Sequence, residues 1–279
     1  MSYKSILVHV DQSPHADTRI RVAAQIAAAS GAHLIGAAMT GVARFMYQTG
    51  AVAYAGPSPA ASTDFLYLRA SQALDQFDAI ASANGVRTFE KQQIDDDEED
   101  GLVLQSRYSD LVVVSQHNLE TPPPGAVAHL PEYVMLNGAR PVLMVPHAGR
   151  HDHIGRRPLV AWDGSTEATR AITGALPLLR RASAVALAVF NPAARVRGRG
   201  EQPAADMARY LARQDVHVEV IQQRTSIDVG NALLSMAADI DADLLVMGGY
   251  GHSRFRELLL GGVTQTILKS MTLPVLMAH

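Results

Sequence analysis

The chain has 279 residues, with 24 lysines and arginines against 27 aspartates and glutamates, and no cysteine. The length indicates about two domains. The lack of cysteine excludes disulfides and thiolate metal sites, and the net charge of -3 argues against a general nucleic-acid-binding protein. No apolar run reaches the ~18 residues of a membrane span, and the N-terminus lacks a signal-peptide pattern. We therefore expect a cytoplasmic protein with no nucleic-acid or membrane partner.

The two halves of the chain repeat one pattern. SILVHVDQS (Ser5–Ser13) is echoed by PLVAWDGST (Pro158–Thr166), and each apolar run ends at an aspartate, Asp11 or Asp163. Short runs rich in Val, Leu and Ile without alternation predict strands buried on both faces, and helical stretches between them predict βαβ units in a parallel sheet. We predict five strands in each half. They are Ile6–Val10, Leu34–Met39, Val86–Lys91, Leu111–Ser115 and Val142–Val145, then Leu159–Trp162, Val185–Phe190, His217–Ile221, Leu244–Met247 and Val275–Met277.

A helix is predicted after the first strand of each half, over Ala16–Ser30 and Thr166–Arg181. Pro14 is placed to start the first helix, and Ser165 or Thr166 to cap the second. Another helix is predicted after DDDEED, Asp95–Asp100. This acidic run favours a solvated helix N-terminus over a metal or partner site.

Two irregular segments stand outside the repeat. The linker His147–Arg157 contains three histidines, but their spacing matches no supported metal site, and a polar glycine-containing linker explains them. The segment Thr40–Ser62 is long and rich in Gly, Pro and small residues. Such a loop acts as a lid, a partner surface or a mobile cover, or it packs against the body.

A glycine-rich loop follows the fourth strand of the second half. Its glycines are Gly248, Gly249, Gly251 and Gly261–Gly262, and the helix Val263–Ser270 comes next. Loops at the carboxyl ends of parallel strands bind ligands in open α/β sheets, and a helix N-terminus after glycines favours phosphate. The spacing is neither G-x-x-x-x-G-K-[ST] nor G-x-G-x-x-G, and glycine clusters also simply make turns.

The equivalent loop of the first half lacks these glycines. The two repeats keep one offset from the fourth strand to the fifth, since 243 − 110 and 274 − 141 are both 133. Gly248, Gly251, Gly261 and Gly262 therefore fall on Ser115, Asn118, Ala128 and His129. TPPPG (Thr121–Gly125) occupies the middle of the first half's loop. If the glycines serve a ligand, only the second half should hold it.

The sequence GGYGHSRFRELLLGGVTQTIL, followed by PVLMAH, resembles the universal stress protein family. Nucleotide-binding members carry G-x2-G-x9-G-[ST], which Gly248, Gly251 and Gly261 match, while Gly262 replaces the usual Ser or Thr. The paired openings and closings VHVDQS, VAWDGS, PVLMVP and PVLMAH extend the resemblance to both halves. It implies two tandem Rossmann-like or flavodoxin-like α/β domains, 1–147 and 156–279. Each would be an open five-stranded parallel sheet in the order 3-2-1-4-5, with helices on both faces, and the domains would pair through their last strands.

The resemblance also implies site residues for ATP, with or without Mg²⁺. Gly248 would lie by the ribose, and Gly251 and Gly261 by the phosphates. Backbone or hydroxyl donors would come from Gly262, Val263 and Thr264, and Asp163 would contact the nucleoside. His252 and Arg254 would supply positive charge near a phosphate. The alternative is that these exposed loop residues have no role in binding.

No catalytic set is evident, and no metal-ligand set is expected. We therefore expect a stress-response or regulatory protein that holds an adenine nucleotide in its second half, and a homodimer is a further option. The alternatives are a slow ATPase or nucleotide-dependent enzyme using the same cleft, and an interaction module that binds no nucleotide.

Overall fold

The structure is a computed structural model that describes residues 2–45, 59–116, 129–192, 203–250 and 262–279. The chain divides into two compact units, Ser2–Arg140 and Pro141–His279. Most of the segment Thr40–Ser62 and the TPPPG loop lie outside the described residues. None of the helices in the described ranges has the length and apolar character needed to cross a bilayer.

The first unit is built on a parallel sheet in the order β3-β2-β1-β4. Ile6, Leu7 and Val8 of β1 are all fully buried. Because successive strand residues point to opposite faces, both faces of β1 are covered. The elements are β1 (Ser5–His9), α1 (Ala16–Ser30), β2 (His33–Met39), α2 (Pro59–Ala83), β3 (Phe89–Ile94), α3 (Glu98–Ser106), β4 (Leu111–Ser115) and α4 (Leu130–Asn137).

The second unit contains the strands β5-β10-β9-β6-β7-β8 in that order, all parallel to their neighbours except β5. The strands of the second repeat therefore follow the predicted order 3-2-1-4-5. The elements are β5 (Val142–Val145), β6 (Pro158–Ala161), α5 (Thr166–Leu179), β7 (Val185–Phe190), α6 (Pro203–Ala212), β8 (Val218–Gln223), α7 (Val229–Asp239), β9 (Leu244–Gly248), α8 (Gly262–Ser270) and β10 (Val275–Ala278).

Strand β5 groups with the second unit, although the sequence repeat places it last in the first half. It pairs antiparallel with β10, and Leu143 lies opposite Leu276. Both residues are fully buried. The predicted domain boundaries 1–147 and 156–279 remain predictions.

The two helices after the first strands start differently. Ser165 caps α5, because its Oγ accepts the N–H of Ala168 at 3.0 Å, as predicted. The prediction that Pro14 starts α1 is wrong, since α1 begins at Ala16 without a capping side chain. Helix α1 starts five residues after Asp11 (16 − 11), whereas α5 starts three residues after Asp163 (166 − 163).

In each repeat, an aspartate just before the fourth strand accepts hydrogen bonds from backbone N–H groups at the start of the first strand. Asp243 accepts the backbone N–H groups of Arg156 and Arg157 at 2.8 and 2.9 Å. Asp110, at the same position of the first repeat, accepts those of Lys4 and Ser5 at 2.7 and 3.1 Å. The two halves therefore share not only the strand pattern but also this side-chain contact between neighbouring strands.

We expect Asp243→Ala to lower the free energy of unfolding of the second unit by about 1–2 kcal/mol, because two backbone donors lose a charged acceptor. Asp239→Ala, at an exposed position nearby, is the control and should change it by less than about 0.5 kcal/mol. Urea titration followed by fluorescence of the single tryptophan, Trp162, reports on this unit. Equal stability of the two variants would contradict the assigned role of Asp243.

Candidate functional site

Asp163 lies at the carboxyl edge of the second unit, where β6 and β9 end side by side. The two strands pair in parallel with Val160 opposite Val246, so the residues that follow them emerge at the same edge. Asp163 is exposed, and its carboxylate accepts the N–H of Ser165 at 3.0 Å. This local turn leaves most of the carboxylate facing solvent.

Gly248, the last residue of β9, is glycine because a helix approaches its Cα. A Cβ at this position would lie 2.5 Å from the backbone nitrogen of Ala168 and 2.8 Å from the carbonyl carbon of Glu167. Both atoms belong to the first turn of α5, which cannot shift as a flexible side chain can. Packing therefore explains this glycine without a ligand, and its predicted place by a ribose remains a prediction.

The described ends of the glycine-rich loop are held to the body of the unit. The backbone N–H of Tyr250 donates to Thr264 Oγ1 at 3.2 Å, and Thr264 is only 4% exposed. The N–H of Gly249 donates to the carbonyl of Ala278 at 2.9 Å, and His279 Nδ1 lies 3.1 Å from the carbonyl of Gly249. The Thr264 hydroxyl thus joins the loop to α8, and its predicted contact with a nucleotide remains untested.

The first turn of α8 is accessible. Gly262 is exposed, and among the described residues outside its own helix a Cβ built on it meets no atom within 4 Å. Val263 is partly exposed beside it. Gly251, His252, Arg254 and Gly261 of the predicted site lie outside the described residues.

The same edge of the first unit is occupied by a buried arginine that the sequence reasoning missed. The guanidinium of Arg19, a residue only 2% exposed, donates to Asp11 Oδ1 at 2.7 Å, to the carbonyl of His9 at 2.7 Å and to Ser115 Oγ at 2.9 Å. The N–H and hydroxyl of Ser13 also donate to Asp11, at 3.1 and 2.7 Å. The Oδ1 atom of Asp11 is therefore committed to internal partners, while the side chain remains 23% exposed.

The electrostatics of this cluster favour the ion pair. Burial raises the pKa of Asp11, but the charge of Arg19, with the hydrogen bonds from Ser13 and Arg19, outweighs burial and holds that pKa below its usual range. Burial and then the Arg19 charge lower the pKa of His9 to about 4. His9 is thus neutral at pH 7, and its 3.9 Å contact with Asp11 is not an ion pair there.

The repeat shows what replaces this cluster in the second unit. The offset between the aspartates (163 − 11 = 152) places Ala171 opposite Arg19, and the offset between the fourth strands (248 − 115 = 133) places Gly248 opposite Ser115. Both members of the arginine–serine hydrogen bond are therefore absent there. The sequence signal that could have revealed this cluster was the difference between the repeats at this position, Arg19 in the first half and Ala171 in the second.

Metal binding finds no support in the described part of the chain, where no group of three or more His, Asp or Glu side chains is arranged to hold an ion.

We expect Arg19→Met to lower the stability of the first unit by about 3–5 kcal/mol, because it leaves the Asp11 carboxylate partly buried without its cation. Arg21→Met is the control, since Arg21 is exposed on the same helix. Its stability should stay within about 0.5 kcal/mol of the parent. Adding Asp11→Asn to Arg19→Met should recover part of the loss. Thermal denaturation followed by circular dichroism measures all four proteins, and equal melting of the Arg19 and Arg21 variants would refute the assignment.

Comparison with known proteins places this architecture in a family. The model of the universal stress protein family matches residues 156–279. A search of curated proteins finds no match.

Among solved structures, a universal stress protein from Archaeoglobus fulgidus DSM 4304 is similar along its whole length. It has a TM-score of 0.73 and 15% identity, covering 98% of this chain and 97% of its own. A functionally unknown protein from Pseudomonas aeruginosa PAO1 has a TM-score of 0.62 and 15% identity, covering 98% of this chain and 92% of its own. A universal stress protein in complex with cAMP covers 53% of this chain and 100% of its own, at 25% identity and a TM-score of 0.39. Residues 156–279 thus match the universal stress protein family, and the whole chain has the fold of a tandem, two-domain universal stress protein.

Proposed function

We propose that the chain is a regulatory, stress-response type of protein that binds one adenine nucleotide, ATP, in its second unit. The observation that carries the proposal is the difference between the two edges. Asp163 is exposed beside a glycine-rich loop, whereas Asp11 is tied to the buried Arg19. Asp163 is thus free to contact a ligand, whereas the equivalent aspartate of the first unit is already paired with the protein's own arginine.

The chemistry of the open edge suits a nucleotide. An exposed helix N-terminus presents unpaired N–H groups and a partial positive charge, which favour phosphate. The open space around Gly262 leaves room for an anion at the start of α8. In this proposal Gly251 and Gly261 approach the phosphates, and His252 adds positive charge. Asp163 then contacts the nucleoside as a hydrogen-bond acceptor.

We place binding ahead of catalysis in this proposal. The motif-bearing edge offers donors for an anion, but the described residues there include no base with a partner that orients it. ATP would then act by stabilising one conformation or assembly of the protein, in proportion to its differential affinity for the two states.

We expect titration calorimetry with ATP to give a stoichiometry near one per chain, with and without Mg²⁺. Gly261→Val should abolish the binding while circular dichroism stays unchanged, because a side chain there would take the space of a phosphate. A stoichiometry near two, or a nucleotide beside Asp11, would refute the assignment to the second unit alone. Normal binding by Gly261→Val would refute the phosphate role of the loop.

We expect Gly262→Ser to raise ATP affinity about fivefold, since it restores a hydroxyl that can add one hydrogen bond of about 1 kcal/mol. Gly262→Ala is the matched control. It adds the same Cβ into open space without a hydroxyl, so its affinity should stay within about twofold of the parent. The measurement is the ATP dissociation constant at one salt and magnesium concentration. Weaker binding by both variants would show that the backbone freedom of Gly262 is what the site uses.

A further inference from the structure

The first unit contains a cavity that the proposed nucleotide site does not use. Its volume is about 180 Å³, and it opens where β1 and β2 end, between the side of α2 and the start of α3. One wall is apolar, formed by Val10, Ala38, Met39, Leu66, Ala70 and Ala73. A cavity of about 150 Å³ holds benzene, so this one suits a molecule of about one ring.

Several polar groups at the cavity are already bound to one another. Asp11 is held by Arg19. Arg44 donates to Asp97 at 3.2 Å and to Glu99 at 3.3 Å. These side chains form the frame of the cavity, and their charges are largely compensated within the unit.

Two polar groups that line the cavity stand apart from this frame. The guanidinium of Arg69 lies over the ring of Phe65, 5.8 Å from its centre, and within the described ranges no carboxylate pairs with it. Glu98 lines the same cavity, and its carboxyl group has no hydrogen-bond partner among the described residues. The acidic run Asp95–Asp100 is thus not only a solvated helix end, because Glu98, the first residue of α3, lines the cavity.

We propose that this cavity binds a small organic carboxylate with a flat apolar body. The ligand carboxylate pairs with the planar Arg69 guanidinium, Glu98 in its protonated form donates a second hydrogen bond, and the body of the ligand lies against the apolar wall. Arginine matches a carboxylate through two parallel N–H donors, which gives the contact its geometry.

The charges around the cavity select this ligand class. Asp11 and Asp97 line the cavity but are paired with Arg19 and Arg44, which leaves the Arg69 guanidinium as the positive charge to be matched. One carboxylate matches it, the second negative charge of a phosphate monoester would find no further unpaired cation there, and an amine is repelled by Arg69. A single negative charge on a ring-sized molecule satisfies both limits.

Glu98 makes this binding depend on pH. Burial, with the nearby charge of Asp11, raises the pKa of Glu98 to about 7, against the opposing charges of Arg19, Arg44 and Arg69. The other carboxylates close by are Asp97 and Glu99, which Arg44 compensates. Below pH 7 the protonated Glu98 donates to the ligand, and above pH 7 its carboxylate repels it, so affinity falls as pH rises.

The test uses the full-length protein and four one-ring probes: benzoate, benzamide, benzylamine and phenyl phosphate. Dissociation constants come from NMR shift titrations at pH 6 and pH 8.5. Benzoate should bind more tightly than the other three, and at least fivefold more tightly at pH 6 than at pH 8.5. No detectable benzoate binding at pH 6, or tighter binding of phenyl phosphate or benzylamine, would overturn the proposal.

Three variants assign the contacts. Arg69→Gln should weaken benzoate binding at least fivefold, and Arg69→Lys should weaken it less because the charge remains. Glu98→Gln keeps a donor that does not titrate, so benzoate binding should persist and lose its pH dependence. Arg107→Gln, which removes an exposed guanidinium elsewhere in the unit, should leave binding unchanged. Unchanged binding by both Arg69 variants, or unchanged pH dependence in Glu98→Gln, would overturn the assigned contacts. Because no residue is shared with the ATP site, either proposal can fail alone.

Discussion

The buried guanidinium of Arg19 is the constraint on which the first unit's ligand edge depends. It joins the end of β1, the aspartate that follows it and the end of β4 through three hydrogen bonds of 2.7–2.9 Å. A buried cation is costly unless it is paired and hydrogen-bonded, and Arg19 meets both conditions. The same contacts that make the cation tolerable also occupy the Oδ1 atom of Asp11, so one interaction both stabilises this edge and removes an acceptor from it.

The second unit keeps the fold and removes that constraint at two positions together. Ala171 and Gly248 stand where the first unit has Arg19 and Ser115, so neither the cation nor its hydroxyl partner is present. Without a side chain at Gly248, the first turn of α5 can approach the end of β9, and α5 starts two residues earlier relative to its aspartate than α1 does. One sheet topology thus supports an edge with a paired aspartate and an edge with an exposed one, through a few side chains and the start of one helix.

The strands with apolar runs were predictable from the sequence, and Leu111–Ser115 and Val185–Phe190 have the predicted bounds. The third strand was predicted at Val86–Lys91 but spans Phe89–Ile94. This edge strand is mostly polar, so no apolar run marks its bounds in the sequence. The cap at Ser165 followed from local chemistry. Arg19 could not be found by motif or charge, because an arginine on a helix is usually exposed and only tertiary packing buries it. The pairing of β5 with β10 is long-range and leaves no local signal, so it was expected only from the family resemblance.

The Asp11–Arg19 ion pair also acts on the cavity that Asp11 lines. Asp11 and Arg19 form a pair of opposite charges, so their effects on Glu98 oppose each other: the aspartate raises its pKa and the arginine lowers it. Burial then becomes the main influence on Glu98, which brings its pKa into the physiological range instead of the usual range of glutamate. An unpaired Asp11 would raise that pKa further, and an unpaired Arg19 would lower it. The two members of the ion pair therefore act against each other at the neighbouring glutamate, and burial remains the largest cause of its raised pKa.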